Sequence, residues 1–127
     1  MTILYIAIAG ALGSVARYLV AVGIQRVTAD HTQVPVGTLA VNVIGAFCIG
    51  VVMAVFAARG ELDSRLRLAI TIGFLGGFTT YSAFAYETVA LLESDRVGTA
   101  ALYVGATLIV AGAAAFAGIL VGRAMGG

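Results

Sequence analysis

Gly73-Phe74-Leu75-Gly76-Gly77-Phe78-Thr79-Thr80-Tyr81-Ser82-Ala83-Phe84 lies inside a long apolar run and carries features that a plain spanning helix lacks. Adjacent Gly76 and Gly77 weaken a helix at mid-span, because glycine loses the most backbone freedom on ordering. Hydroxyl residues and aromatic rings follow at once. A helix broken at membrane depth frees carbonyls that only protein, water or an ion can satisfy. Unwound carbonyls in membranes bind small hard cations such as Na⁺. The alternative reading of the same residues is a Gly-rich packing surface with no break.

The flanking sequence supplies the context. A bilayer core needs about 20 mainly apolar residues per spanning helix. Stretches at about 3–24, 36–58, 68–92 and 98–121 meet that length. Pro35 stands where the second helix begins, and proline there loses no helical hydrogen bond. Charged turns run from Arg59 to Arg65 and from Glu93 to Arg96, and a polar run from Gln25 to Gln33 joins the first two spans. The expected fold is therefore an all-α integral membrane protein. Its residues 1–127 form one transmembrane domain of four helices, the third broken near its middle. The apolar run from Thr2 has no basic segment before it and continues too far for a cleaved signal. The spacings Gly73-x3-Gly77, Ala46-x3-Gly50 and Gly118-x3-Gly122 mark places where helix backbones can approach closely.

Composition agrees and excludes other classes. Of 127 residues, 61% are hydrophobic and 10% charged, whereas about a quarter of a soluble domain is charged. The net charge is +1 and there is no lysine, so no basic patch exists to hold nucleic acid. Cys48 is the one cysteine, which rules out an intrachain disulfide and a cysteine-based zinc site. No Ser/His/Asp grouping, phosphate loop or acid pair is present, and the chain is not expected to be an enzyme. With an even number of spans, Arg59, Arg65, Arg67 and Arg123 fall on one side and Arg26 and Arg96 on the other. That small bias orients the chain weakly and leaves room for insertion both ways.

Polar groups inside the spans are the informative positions. Asn42 lies on the second span with Thr38 one turn before it. The pair either bonds between helices or lines a polar path, where an amide offers two N–H groups and a hydroxyl one. Tyr81 and Phe84 share a helix face that Glu87 continues. Ring edges are positive and can favour a bare anion without the full charge that would trap it. The same stripe also suits ordinary packing. Arg17 either snorkels to an interface or draws anions into a vestibule. Glu87 either borders water or serves as a proton-coupling carboxylate. Tyr103 and Thr107 share one face of the fourth span.

Taken together these residues resemble the Fluc (CrcB) family of fluoride ion channels. The resemblance rests on Gly13-x3-Arg17-Tyr18, on Pro35-x-Gly37-Thr38-Leu39-x2-Asn42-x2-Gly45, and on Gly73-x2-Gly76-Gly77-Phe78-Thr79-Thr80-Tyr81-Ser82-x-Phe84-x2-Glu87. It implies an antiparallel, dual-topology homodimer in the cell membrane with two narrow fluoride pathways, passively exporting F⁻ and giving fluoride resistance. It implies a structural Na⁺ at the dimer centre, held by backbone carbonyls of Gly76 and Thr79. Tyr81 and Phe84 become the ring pair of the path, Asn42 an amide donor there, and Ser82, Thr38, Tyr103 and Thr107 polar contacts. Arg17 and Glu87 fall toward the vestibules. The chain departs from the family pattern at Tyr81, where phenylalanine is usual, and at Ala83 and Ala111, where hydroxyl residues are common. A proton-coupled multidrug exporter of the small four-helix type is the alternative, but that class needs a membrane carboxylate early in the chain, and the first span has none.

Overall fold

The computed structural model describes residues 1–60 and 63–127. Glu61 and Leu62, within the expected charged turn after the second span, lie outside the described residues. Every regular element among the described residues is helical. The helices are α1 (Thr2–Thr28), α2 (Val36–Arg59), α3 (Ser64–Leu68), α4 (Gly76–Phe78), α5 (Tyr81–Glu93) and α6 (Val97–Gly126), with a π-helical segment, Ala69–Leu75, joining α3 to α4. The stretch Ser64–Glu93 acts as one span, so four helical spans are long and apolar enough to cross a membrane. All four reach beyond the expected limits at one or both ends.

Local chemistry sets the ends. Pro35 directly precedes α2 and its carbonyl accepts from Leu39 N–H at 3.1 Å. Gly60 closes α2 at φ 67°, with its N–H on the Phe56 carbonyl at 3.2 Å; this left-handed backbone is one that glycine adopts without strain. Asp63 caps α3 by accepting from Arg65 N–H at 2.9 Å. Asp95, at φ 58°, makes the tight corner into α6, and aspartate tolerates that region better than most residues.

Packing follows the small residues. The most extensive pairing joins α2 to α6, while α1 lies against the π-helical segment and α4. A methyl group on Gly118 would collide with the Phe47 backbone, and one on Gly50 with the Ala115 carbonyl. On the other side, a methyl on Gly77 would lie 2.6 Å from the Gly10 carbonyl and one on Gly73 2.9 Å from the Ile6 carbonyl. These glycines let backbones meet where a side chain would hold them apart. Large apolar side chains such as Ile3, Leu19, Ile109 and Phe116 are exposed, as expected where the surrounding solvent is hydrocarbon.

Gly76 and Gly77 are helical: Gly76 has φ −63° and ψ −37°. The extended residues come after them. Thr79 has φ −88° and ψ 159°, and Thr80 has φ −149° and ψ 120°. Gly77 thus serves the contact with α1, and the backbone leaves helical geometry at the threonines.

Candidate functional site

Thr80 is the centre of the site. Its N–H donates to Asn42 Oδ1 at 2.8 Å, and its carbonyl accepts from Asn42 Nδ2 at 3.0 Å. One carboxamide from α2 therefore satisfies both backbone groups of an extended residue inside the bilayer, where an unpaired group is costly. The Thr80 hydroxyl caps α5 by accepting from Ala83 N–H at 3.2 Å and lies 3.4 Å from Ser82 Oγ.

These bonds have a consequence for two carbonyls. In a continuous helix the Gly76 carbonyl would take Thr80 N–H, and the Thr79 carbonyl would take Ala83 N–H. Both donors go to side chains instead, to Asn42 and to Thr80. The Thr79 N–H and hydroxyl both donate to the Leu75 carbonyl, at 3.0 and 2.9 Å. Gly76 and Thr79 share a depression of about 190 Å³ with Asn42, Gly45, Ala46 and Thr71. A methyl on Gly45 would strike Thr79 Cγ2, so glycine on α2 makes room for the threonine. No cluster of His, Cys, Asp or Glu able to hold a metal occurs among the described residues.

Beyond the threonines runs a ladder of rings. Tyr81 and Phe84 have centroids 6.0 Å apart and planes tilted by 58°. Phe84 and Tyr103 are 5.2 Å apart with the same tilt. Tilted pairs turn positive edges toward neighbouring faces. Tyr81 is 81% exposed while Tyr103 is fully buried, so the ladder runs from the surface of the chain into its interior. A depression of about 270 Å³ brings together Asn42, Thr79, Thr80, Tyr81, Phe84 and Thr107.

At the inner end of the ladder, Glu87 receives two hydroxyl protons. Thr38 Oγ1 donates to Oε1 at 2.7 Å and Tyr103 OH donates to Oε2 at 2.9 Å. The carboxylate thus ties α2 and α6 to α5. Glu87 also borders a depression of about 390 Å³ that includes Thr38, Gln25 and Gln33. Arg17 lines a neighbouring depression with Thr38, Thr80 and Ala83.

The structure thus gathers Asn42, Tyr81, Phe84 and Thr107 around one hollow, Thr38, Tyr103 and Glu87 into one hydrogen-bonded group, and Gly76 and Thr79 around another hollow. Ser82 stands apart on the exposed face beside Thr80. Several expected donors are already engaged. Thr107 donates to the Tyr103 carbonyl at 2.7 Å, Thr38 and Tyr103 donate to Glu87, and Asn42 uses one amide N–H on Thr80. Two participants escaped the sequence reading. Thr80 stood in the quoted motif without a role, although a hydroxyl three residues before Ala83 is a capping signal. Gln25 accepts from Gly37 N–H at 3.1 Å, a contact across twelve residues that no local pattern announces.

Four apolar spans carrying a cluster of rings, hydroxyls, one amide and one carboxylate define a multi-pass integral membrane protein. The chain belongs to the CrcB family: residues 4–119 match the model described as CrcB-like protein, Camphor Resistance (CrcB). It is 48% identical over 122 residues to the fluoride-specific ion channel FluC of Geobacter sulfurreducens, covering 96% of this chain and 97% of that one. It is 43% identical over 123 residues to the protein of the same name from Agrobacterium fabrum, with 97% of each chain covered. The counterpart from Acidobacterium capsulatum is likewise 43% identical over 123 residues, again with 97% of each covered. An ion channel is a non-enzymatic kind of protein.

Proposed function

We propose that this chain is a fluoride-selective channel that lets F⁻ leave the cytoplasm passively. The observation that carries the reading is the hollow where Asn42, Tyr81 and Phe84 meet. There an anion finds ring edges and the second Asn42 N–H rather than a fixed positive charge, so it is held weakly enough to pass. The names of the relatives point to the same ion. Hydrogen fluoride crosses membranes in acid and dissociates near neutral pH, and the membrane potential then expels the anion through any open path. Further in, fluoride competes with the Glu87 carboxylate for the hydroxyl protons of Thr38 and Tyr103. Liposomes holding the purified protein are expected to release fluoride when a potential is applied, without a proton gradient. Equal release of chloride, or release that needs a proton gradient, would overturn the reading.

The working unit in this proposal is an antiparallel homodimer with a broken third span. Two observations support it. Tyr81 is 81% exposed in the single chain, and an aromatic hydroxyl at mid-span calls for a protein neighbour rather than lipid. The weak arginine bias lets copies insert in both directions.

A structural Na⁺ suits the centre of that dimer. The carbonyls of Gly76 and Thr79 have lost their helical donors, and oxygen donors suit a small hard cation. Twofold symmetry supplies them in equivalent pairs. Bound there, Na⁺ would neutralise exposed carbonyl dipoles and join the two broken helices.

Gly76 gives a direct test of this part. Within one chain a methyl on Gly76 meets nothing closer than the Thr71 carbonyl at 3.7 Å, an ordinary contact. Gly76→Val is therefore expected to keep the helical content of the chain and to lose the dimer. Cross-linking in membranes and single-molecule subunit counting measure the outcome. A variant that stays dimeric and conducts like wild type would remove the central cation from the proposal.

A further inference from the structure

Gln25 is a half-buried polar residue in the last turns of α1. Its Oε1 accepts from the N–H of Gly37, in the first turn of α2, where N–H groups have no partner within the helix. The carbonyl end of the amide is thereby fixed, and the Nε2 end remains to donate. No hydrogen bond from Nε2 is formed among the described residues.

The surroundings show what that donor faces. Gln25 borders the depression of about 390 Å³ whose wall also carries Thr38 and Glu87. The Arg17 depression shares Ala21, Val22 and Thr38 with it. An anion entering from this end meets the Glu87 carboxylate, which repels it, at the same level as the hydroxyls it needs. Neutral donors ahead of that carboxylate offset the repulsion without holding the ion as tightly as a full charge does.

We propose that Gln25 is the capture residue at this mouth of the path, its amide N–H groups giving a still partly hydrated halide its first contact with the protein. The Gly37 bond positions the amide for that contact. The inference rests on the fluoride-channel reading above and adds a residue which that reading does not contain.

The test separates capture from capping. Gln25→Glu keeps the size of the side chain and an acceptor for Gly37 N–H but replaces the donors with a negative oxygen. Fluoride conductance is measured against fluoride concentration in liposomes, together with thermal stability in detergent. The half-saturating concentration is expected to rise about tenfold, the loss of a donor to a charged group, with limiting conductance and stability little changed. Gln25→Met, which loses both ends of the amide, is expected to raise the half-saturating concentration and also to lower stability. Wild-type half-saturation in Gln25→Glu overturns the proposal. So does a fall in limiting conductance that tracks a fall in stability, which would leave Gln25 as a cap alone. Wild-type vesicles sealed to fluoride would instead defeat the channel reading itself.

Discussion

Replacing Phe84 with isoleucine is expected to lower potential-driven fluoride flux about a hundredfold, because a desolvated anion loses the positive ring edge that offsets its charge, and each tenfold in rate corresponds to about 1.4 kcal/mol of barrier. Phe84 is the middle ring of the ladder, 6.0 Å from Tyr81 and 5.2 Å from Tyr103. In the proposed path an anion would pass Phe84 between the hollow at Tyr81 and the group at Glu87. Isoleucine removes the edge and keeps an apolar side chain of comparable bulk. Phe84 also packs against the buried cluster of Leu91, Ala100 and Tyr103, and an exchange that roughly conserves volume there costs less than about 1.5 kcal/mol. The variant should therefore assemble normally and conduct far less than wild type. Flux from liposomes, normalised to reconstituted protein, is the measurement. Full conduction in Phe84→Ile would mean that the rings only fill space.

Tyr81 bears on the same argument. Its ring is placed to act with Phe84, and its hydroxyl extends from the exposed end of the ladder. In the proposed path that hydroxyl would add a donor where Thr38, Tyr103 and Thr107 are already engaged.

The membrane spans were readable because hydropathy over about 20 residues reflects a single physical demand, that of the hydrocarbon core. The helix contacts at Gly118 and Gly77 were readable for a similar reason: close approach needs small residues at regular spacing. The place where the third span leaves helical geometry was less legible. Glycine propensity points to Gly76 and Gly77, yet both are helical, and it is the missing side chain of Gly77 that serves α1. The extended conformation at Thr80 is held by Asn42, thirty-eight residues earlier, and local propensity contains no trace of so distant a partner. The grouping of Thr38, Glu87 and Tyr103 is likewise tertiary, joining residues of α2, α5 and α6. Each of those residues stood out as a polar group in an apolar span. Their mutual satisfaction emerged only from the packing.

Asn42→Leu is expected to prevent stable assembly, a larger defect than loss of a path contact would produce. The leucine leaves the Thr80 N–H and carbonyl without the two bonds that Asn42 supplies at 2.8 and 3.0 Å. Each orphaned buried group costs about 1–3 kcal/mol, so the pair costs about 2–6 kcal/mol, against a total stability of about 5–15 kcal/mol. Rejoining the helix is no escape, because Thr79 and Gly45 are packed for the extended backbone. Asn42→Asp separates the two roles of the amide. Its carboxylate still accepts from Thr80 N–H but no longer donates to the carbonyl, and it puts negative charge in the hollow with Tyr81 and Phe84. The aspartate variant should therefore retain more of the wild-type thermal stability than the leucine variant and conduct no fluoride. Size-exclusion profiles after graded heating, paired with liposome flux, resolve the two effects. If Asn42→Leu instead melted with wild type and lost only flux, Thr80 would have to be held by something other than this carboxamide, and the release of the Gly76 carbonyl from helical bonding would lose its cause.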